Sequence, residues 1–140
     1  MEMIEGRREA FGPHLMMDLT QCNPDKLSDY DFIFHTLNDL PEKIGMTKIT
    51  QPYVFPYSGL IPEDKGITGV VVIAESHISI HTFQEKDYVF VDLFSCKDFD
   101  VDFAADYIVN AFESKKFDMF VTMRGKDFVR YRSPELAHIA

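Results

Sequence analysis

Ile67-Thr68-Gly69-Val70-Val71-Val72-Ile73-Ala74-Glu75 is β-branched at most positions, and Ser76-His77-Ile78-Ser79-Ile80-His81-Thr82 follows it directly. Continuous branched apolar residues suit the inside of a sheet, so the first run predicts a strand buried on both faces. The second run alternates. In an extended chain Ile78 and Ile80 point one way, and His77, Ser79 and His81 point the other.

Further strands are predicted on either side, at His14 to Thr20, Lys48 to Phe55, Tyr88 to Ser95 and Asp118 to Arg124. Pro52 interrupts the second of these, which places it at a sheet edge or makes it short. Pro56 to Gly66 reads as a loop. Tyr30, Ile33, Phe34, Leu37, Leu40 and Ile44 recur at helical spacing behind a capping pair, Ser28 and Asp31. Pro41 is expected to kink that helix or to start a second short turn. Phe103, Tyr107 and Ala111 mark a second helix within Asp102 to Phe112. Adjacent strands with two helices predict an α/β (α+β) fold: a two-layer sandwich, mainly an antiparallel sheet with both helices on one face. Residues 1–12 read as a flexible arm, 13–125 as a single domain and 126–140 as a solvated tail.

The chain has 140 residues, a formal net charge of −9, thirteen Phe, six Tyr and no Trp. An acidic balance argues against a nucleic-acid partner, because phosphate binding wants a basic patch. The longest apolar stretch, Val70 to Ala74, is far below the ~20 residues of a membrane span. Two cysteines without a leader pattern predict reduced thiols in the cytoplasm. The aromatic residues suffice for a core and one stacking site.

Ser76, His77, His81 and Cys96 bring a hydroxyl, two imidazoles and a thiol into one stretch of chain. On position alone Ser76 reads as a turn serine bonded to its own backbone or as a nucleophile. The elbow of serine hydrolases, Gly-x-Ser-x-Gly, is not present in Ala74-Glu75-Ser76-His77-Ile78. His77 and His81 lie ~13 Å apart on a regular strand, too far to share a metal ion, and no metal is expected. Cys22 and Cys96 also read as small buried apolar residues.

The run Gly66 to Thr82 together with Asp92-Leu93-Phe94-Ser95-Cys96 resembles the bacterial and archaeal S-adenosylmethionine decarboxylases. The resemblance extends more weakly from His14-Leu15-Met16-Met17-Asp18-Leu19 to about Phe112. It implies a proenzyme that cuts itself between Glu75 and Ser76 and turns Ser76 into a pyruvoyl cofactor. The processing residues it implies are Glu75, Ser76, Thr68 and His81, and the catalytic residues are Ser76, His81 and Cys96. The pyruvoyl ketone would form a Schiff base with the substrate α-amine, and Cys96 would return a proton after carbon dioxide leaves. A homodimer with sites at the subunit interface is implied as well, and polyamine synthesis as the purpose.

Some positions depart from the pattern. Phe83 stands where relatives carry Trp, and Asp18-Leu19-Thr20-Gln21-Cys22 replaces Asp-Leu-Tyr-Gly-Cys. The loop before Gly66 is longer and Pro-rich, with Phe55 and Tyr57 as candidates to stack on adenine. Glu85 matches an acidic residue near the ribose. Some relatives decarboxylate arginine or ornithine, for which Glu63 and Asp64 could receive the distal cation. A processing-dead binding or regulatory homologue is the reading from another class.

Overall fold

The computed structural model describes residues 4–7, 11–74 and 76–132. Its strands are β1 (Ile4–Arg7), β2 (Gly12–Thr20), β3 (Tyr53–Tyr57), β4 (Gly66–Ile73), β5 (Ser76–Phe83), β6 (Tyr88–Phe94), β7 (Lys116–Arg124) and β8 (Arg130–Arg132). The helices are α1 (Pro24–Leu27), α2 (Tyr30–Lys43) and α3 (Val101–Phe112). Six strands form an antiparallel sheet in the order β3-β4-β5-β6-β2-β7.

Alternation decides which side of the sheet is core. Leu15, Met17 and Leu19 of β2, Ile67, Val71 and Ile73 of β4, Ile78 and Ile80 of β5, and Val89, Val91 and Leu93 of β6 are buried. They meet Ile33, Leu37 and Leu40 of α2 and Ala104, Ala105, Ile108 and Phe112 of α3. Phe32 and Phe112 stand edge to face at 5.2 Å, so the two long helices share one layer. The expected two-layer sandwich is therefore the architecture.

β4 differs from its prediction. From Ile67 onward only alternate residues are buried, and Val72 is 40% exposed, because a single helical layer covers the sheet. β3 is an edge strand that begins after Pro52, and it includes Pro56, whose missing N–H is harmless at an edge.

The cap of α2 is also displaced. Asn23 opens the single turn α1, Ser28 closes it, and Asp29 takes the hydrogen bond from Phe32 N at 3.1 Å. Ser28 and Asp31 are thus not the capping pair. α2 runs on past Pro41 to Lys43, since a proline in the last turn removes little of the helical ladder.

Gly12 belongs to β2 rather than to an arm. Within the flanks read as arm and tail, β1 pairs with β8 as a separate two-stranded sheet. Residues 1–3, 8–10 and 133–140 lie outside the described residues.

Candidate active site

The β4–β5 hairpin ends at Ala74 and Ser76; Glu75, between them, lies outside the described residues. Ser76 is 8% exposed, and its Oγ donates to the Ala74 carbonyl at 3.5 Å. Cys96 follows β6, the neighbouring strand, and its Sγ donates to the same oxygen at 3.2 Å. The fold therefore brings Ser76 and Cys96 to one backbone carbonyl.

Ser95, fully buried, shapes the turn that carries the thiol. Its Oγ donates to Lys97 O at 2.8 Å and accepts from Lys97 N at 3.2 Å. On the other flank Gly12 approaches so closely that a Cβ there would fall 1.8 Å from Ser95 O. Neither residue was singled out from the sequence, because close backbone approach leaves no pattern along the chain.

His81 and Thr68 form a second cluster. They face each other across the β4–β5 ladder, with Thr68 Oγ1 and His81 Nδ1 3.2 Å apart. A cavity of about 190 Å³ opens there, lined by Tyr57, Asp64, Thr68, His81, Thr82 and Phe83. Phe55 lies opposite Thr68 in the β3–β4 register, and Phe83 meets Phe90 edge on at 5.7 Å. Phe55, Tyr57 and Phe83 are thus near one another and near His81.

Ser76 and His81 do not come together within the chain. They sit five residues apart on β5, roughly 17 Å at strand spacing, and alternation puts Ser76 on the helix side and His81 on the open side.

Glu85 lies in the β5–β6 turn and pairs with Lys65 at 3.4 Å. Beside it Lys86 Nζ donates to Asp64 Oδ1 at 2.6 Å, and that hydrogen bond holds the ammonium above the ordinary lysine range. Glu63 precedes Asp64 in the single-turn helix at Pro62–Asp64. His77 faces Phe94, their rings 6.1 Å apart, while His14 Nε2 meets Asp92 Oδ1 at 3.0 Å. That pair joins β2 to β6 across 78 residues, a separation no local pattern signals.

Cys22 is a different kind of thiol from Cys96. Burial pushes it up to about 11, against a partial counter-effect from a hydrogen bond with Ser114, so it stays protonated as a core residue. Among the described residues, no three of His, Cys, Asp and Glu gather as metal ligands. Nor is any helix there long and apolar enough to cross a membrane.

A family model described as S-adenosylmethionine decarboxylase matches residues 13–125. The chain belongs to the S-adenosylmethionine decarboxylase family. Within that family it is 36% identical over 132 residues to the S-adenosylmethionine decarboxylase proenzyme of Thermodesulfovibrio yellowstonii, covering 92% of this chain and 90% of that protein. The proenzyme of Pyrococcus furiosus is 31% identical over 118 residues, covering 84% and 81%. The crystal structure of the adenosylmethionine decarboxylase from Aquifex aeolicus superposes with a TM-score of 0.72 at 31% identity, covering 84% of this chain and 92% of that one. The family places the chain among enzymes, and both residue clusters lie within the matched span.

Proposed function

We propose that this chain is a proenzyme that cleaves itself between Glu75 and Ser76 and then decarboxylates S-adenosylmethionine through the pyruvoyl group so formed. The observation that carries this reading is the convergence of Ser76 Oγ and Cys96 Sγ on the Ala74 carbonyl at a hairpin end. A hydroxyl and a thiol at one backbone carbonyl are the groups that self-processing and later proton return require. The decarboxylated product would feed polyamine synthesis, including spermidine, in the cytoplasm.

In processing, Ser76 Oγ attacks the Glu75 carbonyl carbon. The C–N bond breaks as the C–O bond forms, and the hydroxyl proton passes to the Ser76 nitrogen. Loss of the Ser76 Cα proton then expels the Glu75 carboxylate and leaves dehydroalanine. Water added to its imine tautomer releases ammonia and leaves the pyruvoyl group. His81 is the base suited to these proton transfers, and the Thr68 hydroxyl, bonded to its ring, orients it.

Once formed, the group offers a ketone to the substrate α-amine and an amide carbonyl that takes up the electrons released with carbon dioxide. Cys96 Sγ returns a proton to the carbon that lost the carboxylate. Phe55, Tyr57 and Phe83 offer faces to adenine and π character to the sulfonium. Glu85 would reach the ribose by leaving Lys65.

The separation of Ser76 from His81 supports a homodimer. The open face of the sheet exposes Tyr53, Phe55, Tyr57, Val72, Phe90 and Phe120. A second copy laid on it would stack two sheets about 10 Å apart. The His81 and Thr68 of one copy could then lie beside the hairpin end that carries Ser76 and Cys96 in the other.

Mass spectrometry tests the cleavage: fragments 1–75 and 76–140, the second blocked to N-terminal sequencing, are expected. An intact chain with unmodified Ser76 after long incubation refutes it. Co-expression tests the shared site. Ser76→Ala and His81→Ala chains, each inactive alone, should together recover part of the wild-type activity. No recovery in demonstrated mixed dimers refutes a site shared between copies.

Asp64 in the cavity lining favours a second reading, an arginine or ornithine decarboxylase. Carbon dioxide release from the three substrates decides between them. A tenfold advantage for arginine or ornithine in kcat/KM would overturn the leading assignment.

A further inference from the structure

The cavity beside His81 is largely apolar, and among the described residues that line it Asp64 is the one carboxylate. In such a setting a carboxylate is an attractive seat for an ammonium or guanidinium group. Asp64 is already occupied, because Lys86 Nζ donates to its Oδ1 at 2.6 Å. Lys86 comes from the β5–β6 turn, whereas Asp64 ends the single-turn helix between β3 and β4 and lines the cavity, so the bond ties these two segments at a cavity residue. The Lys65–Glu85 pair ties the same two segments at 3.4 Å. With the charges crossed, Asp64 to Lys86 and Lys65 to Glu85, a swap of partners between the two segments would set like charges together.

The geometry points to Lys86 as a specificity-determining residue: it acts as an internal competitor that denies Asp64 to α-amino acids ending in an ammonium or guanidinium. This inference rests on the decarboxylase reading and deepens it. A ligand with a distal cation has to displace Lys86 before it gains Asp64. S-Adenosylmethionine carries its positive charge on a sulfonium, which has no N–H to donate, so it has less to gain from that carboxylate. Lys86 contacts no reacting atom and works through Asp64.

Isothermal calorimetry with arginine and ornithine, on wild type, Lys86→Met, Lys86→Arg and the double variant Asp64→Asn/Lys86→Met, tests this. Lys86→Met should bind both amino acids about fivefold more tightly, the order expected from removing one exposed ion-pair competitor. The double variant should lose that gain, and Lys86→Arg should bind as wild type does. The ratio of kcat/KM for arginine to that for S-adenosylmethionine should rise in parallel. A purely structural role for the ion pair would weaken all ligands together and leave the ratio unmoved.

An affinity change below twofold in Lys86→Met, or a gain that persists without Asp64, overturns the inference. Calorimetry keeps the two readings apart. A wild-type chain that turns over no S-adenosylmethionine refutes the proposed reaction, while the arginine titration still reads Lys86.

Discussion

Gly12→Ala tests whether the turn that carries Cys96 has to be held in place. A Cβ at residue 12 would lie 1.8 Å from Ser95 O, 2.8 Å from its carbonyl carbon and 3.1 Å from the carbonyl carbon of Cys96. Ordinary contact begins at 3.4 Å, so the Ser95 carbonyl must retreat by about 1.6 Å. The obstacle is backbone on both sides, and no flexible side chain can swing away. Overpacking of this kind costs about 1–3 kcal/mol of stability, enough to lower the melting temperature by several degrees without unfolding the chain.

The catalytic effect should be larger, because Cys96 rides on the displaced segment. A misplacement of about 1 Å costs a reacting group on the order of 10²-fold. Turnover per cleaved chain is therefore expected to fall about a hundredfold, with cleavage much less affected, since ester formation does not use the thiol. The assay is carbon dioxide release from S-adenosylmethionine, normalised to the cleaved fraction by mass spectrometry, beside a thermal melt. Turnover within threefold of wild type would show that the Gly12–Ser95 contact does not position Cys96.

Three other outcomes are expected. Ser76→Ala should abolish cleavage outright, His81→Ala should slow it far more than it lowers the melting temperature, and Cys96→Ala should cleave yet decarboxylate poorly; a Cys96→Ala enzyme of wild-type rate would pass the donor role to another acid, His77 next. Thr82→Val should destabilise the fold by about 2–4 kcal/mol in denaturant melts, because Thr82 Oγ1 donates to Leu27 O at 2.7 Å and accepts from Ile67 N at 2.9 Å in the interior; a loss below 0.5 kcal/mol refutes that accounting. Cys22, raised from 9.0 to about 11, contributes stability that is full below pH 9 and is lost as pH rises towards 11. Cys22→Ala should flatten that alkaline decline, and an unchanged slope would assign it to other groups.

The open and buried sides of β5 were legible because alternation is local: Ile78 and Ile80 are core, and His77 and His81 are not. β4 misled because Val70 and Val72 are β-branched on the face that the helices leave uncovered, and a sequence does not say how many layers cover a sheet. The capping pair failed for a similar reason. Ser28, Asp29 and Asp31 can all accept a hydrogen bond, and only the single turn at α1 decides among them. Ser76, Cys96, Thr68 and His81 were found by resemblance, but their division into two clusters, Ser76 with Cys96 at the hairpin end and Thr68 with His81 across the β4–β5 ladder, needed the fold. Asp64 was read as a possible cation acceptor, whereas Lys86 as its occupant depends on a loop and a turn 22 residues apart.

A cut between Glu75 and Ser76 leaves β2, β3 and β4 on one polypeptide and β5, β6 and β7 on the other, yet the sheet runs β3-β4-β5-β6-β2-β7. The first piece's β2 is threaded between two strands of the second. Separating the pieces means opening three ladders of the main sheet, β4–β5, β6–β2 and β2–β7, as well as the β1–β8 pair, so paired strands keep a severed chain together. Reassembly is another matter. Once denatured, the precursor closes its sheet within one molecule, whereas the cut form must first find its other half, and its recovery falls with dilution.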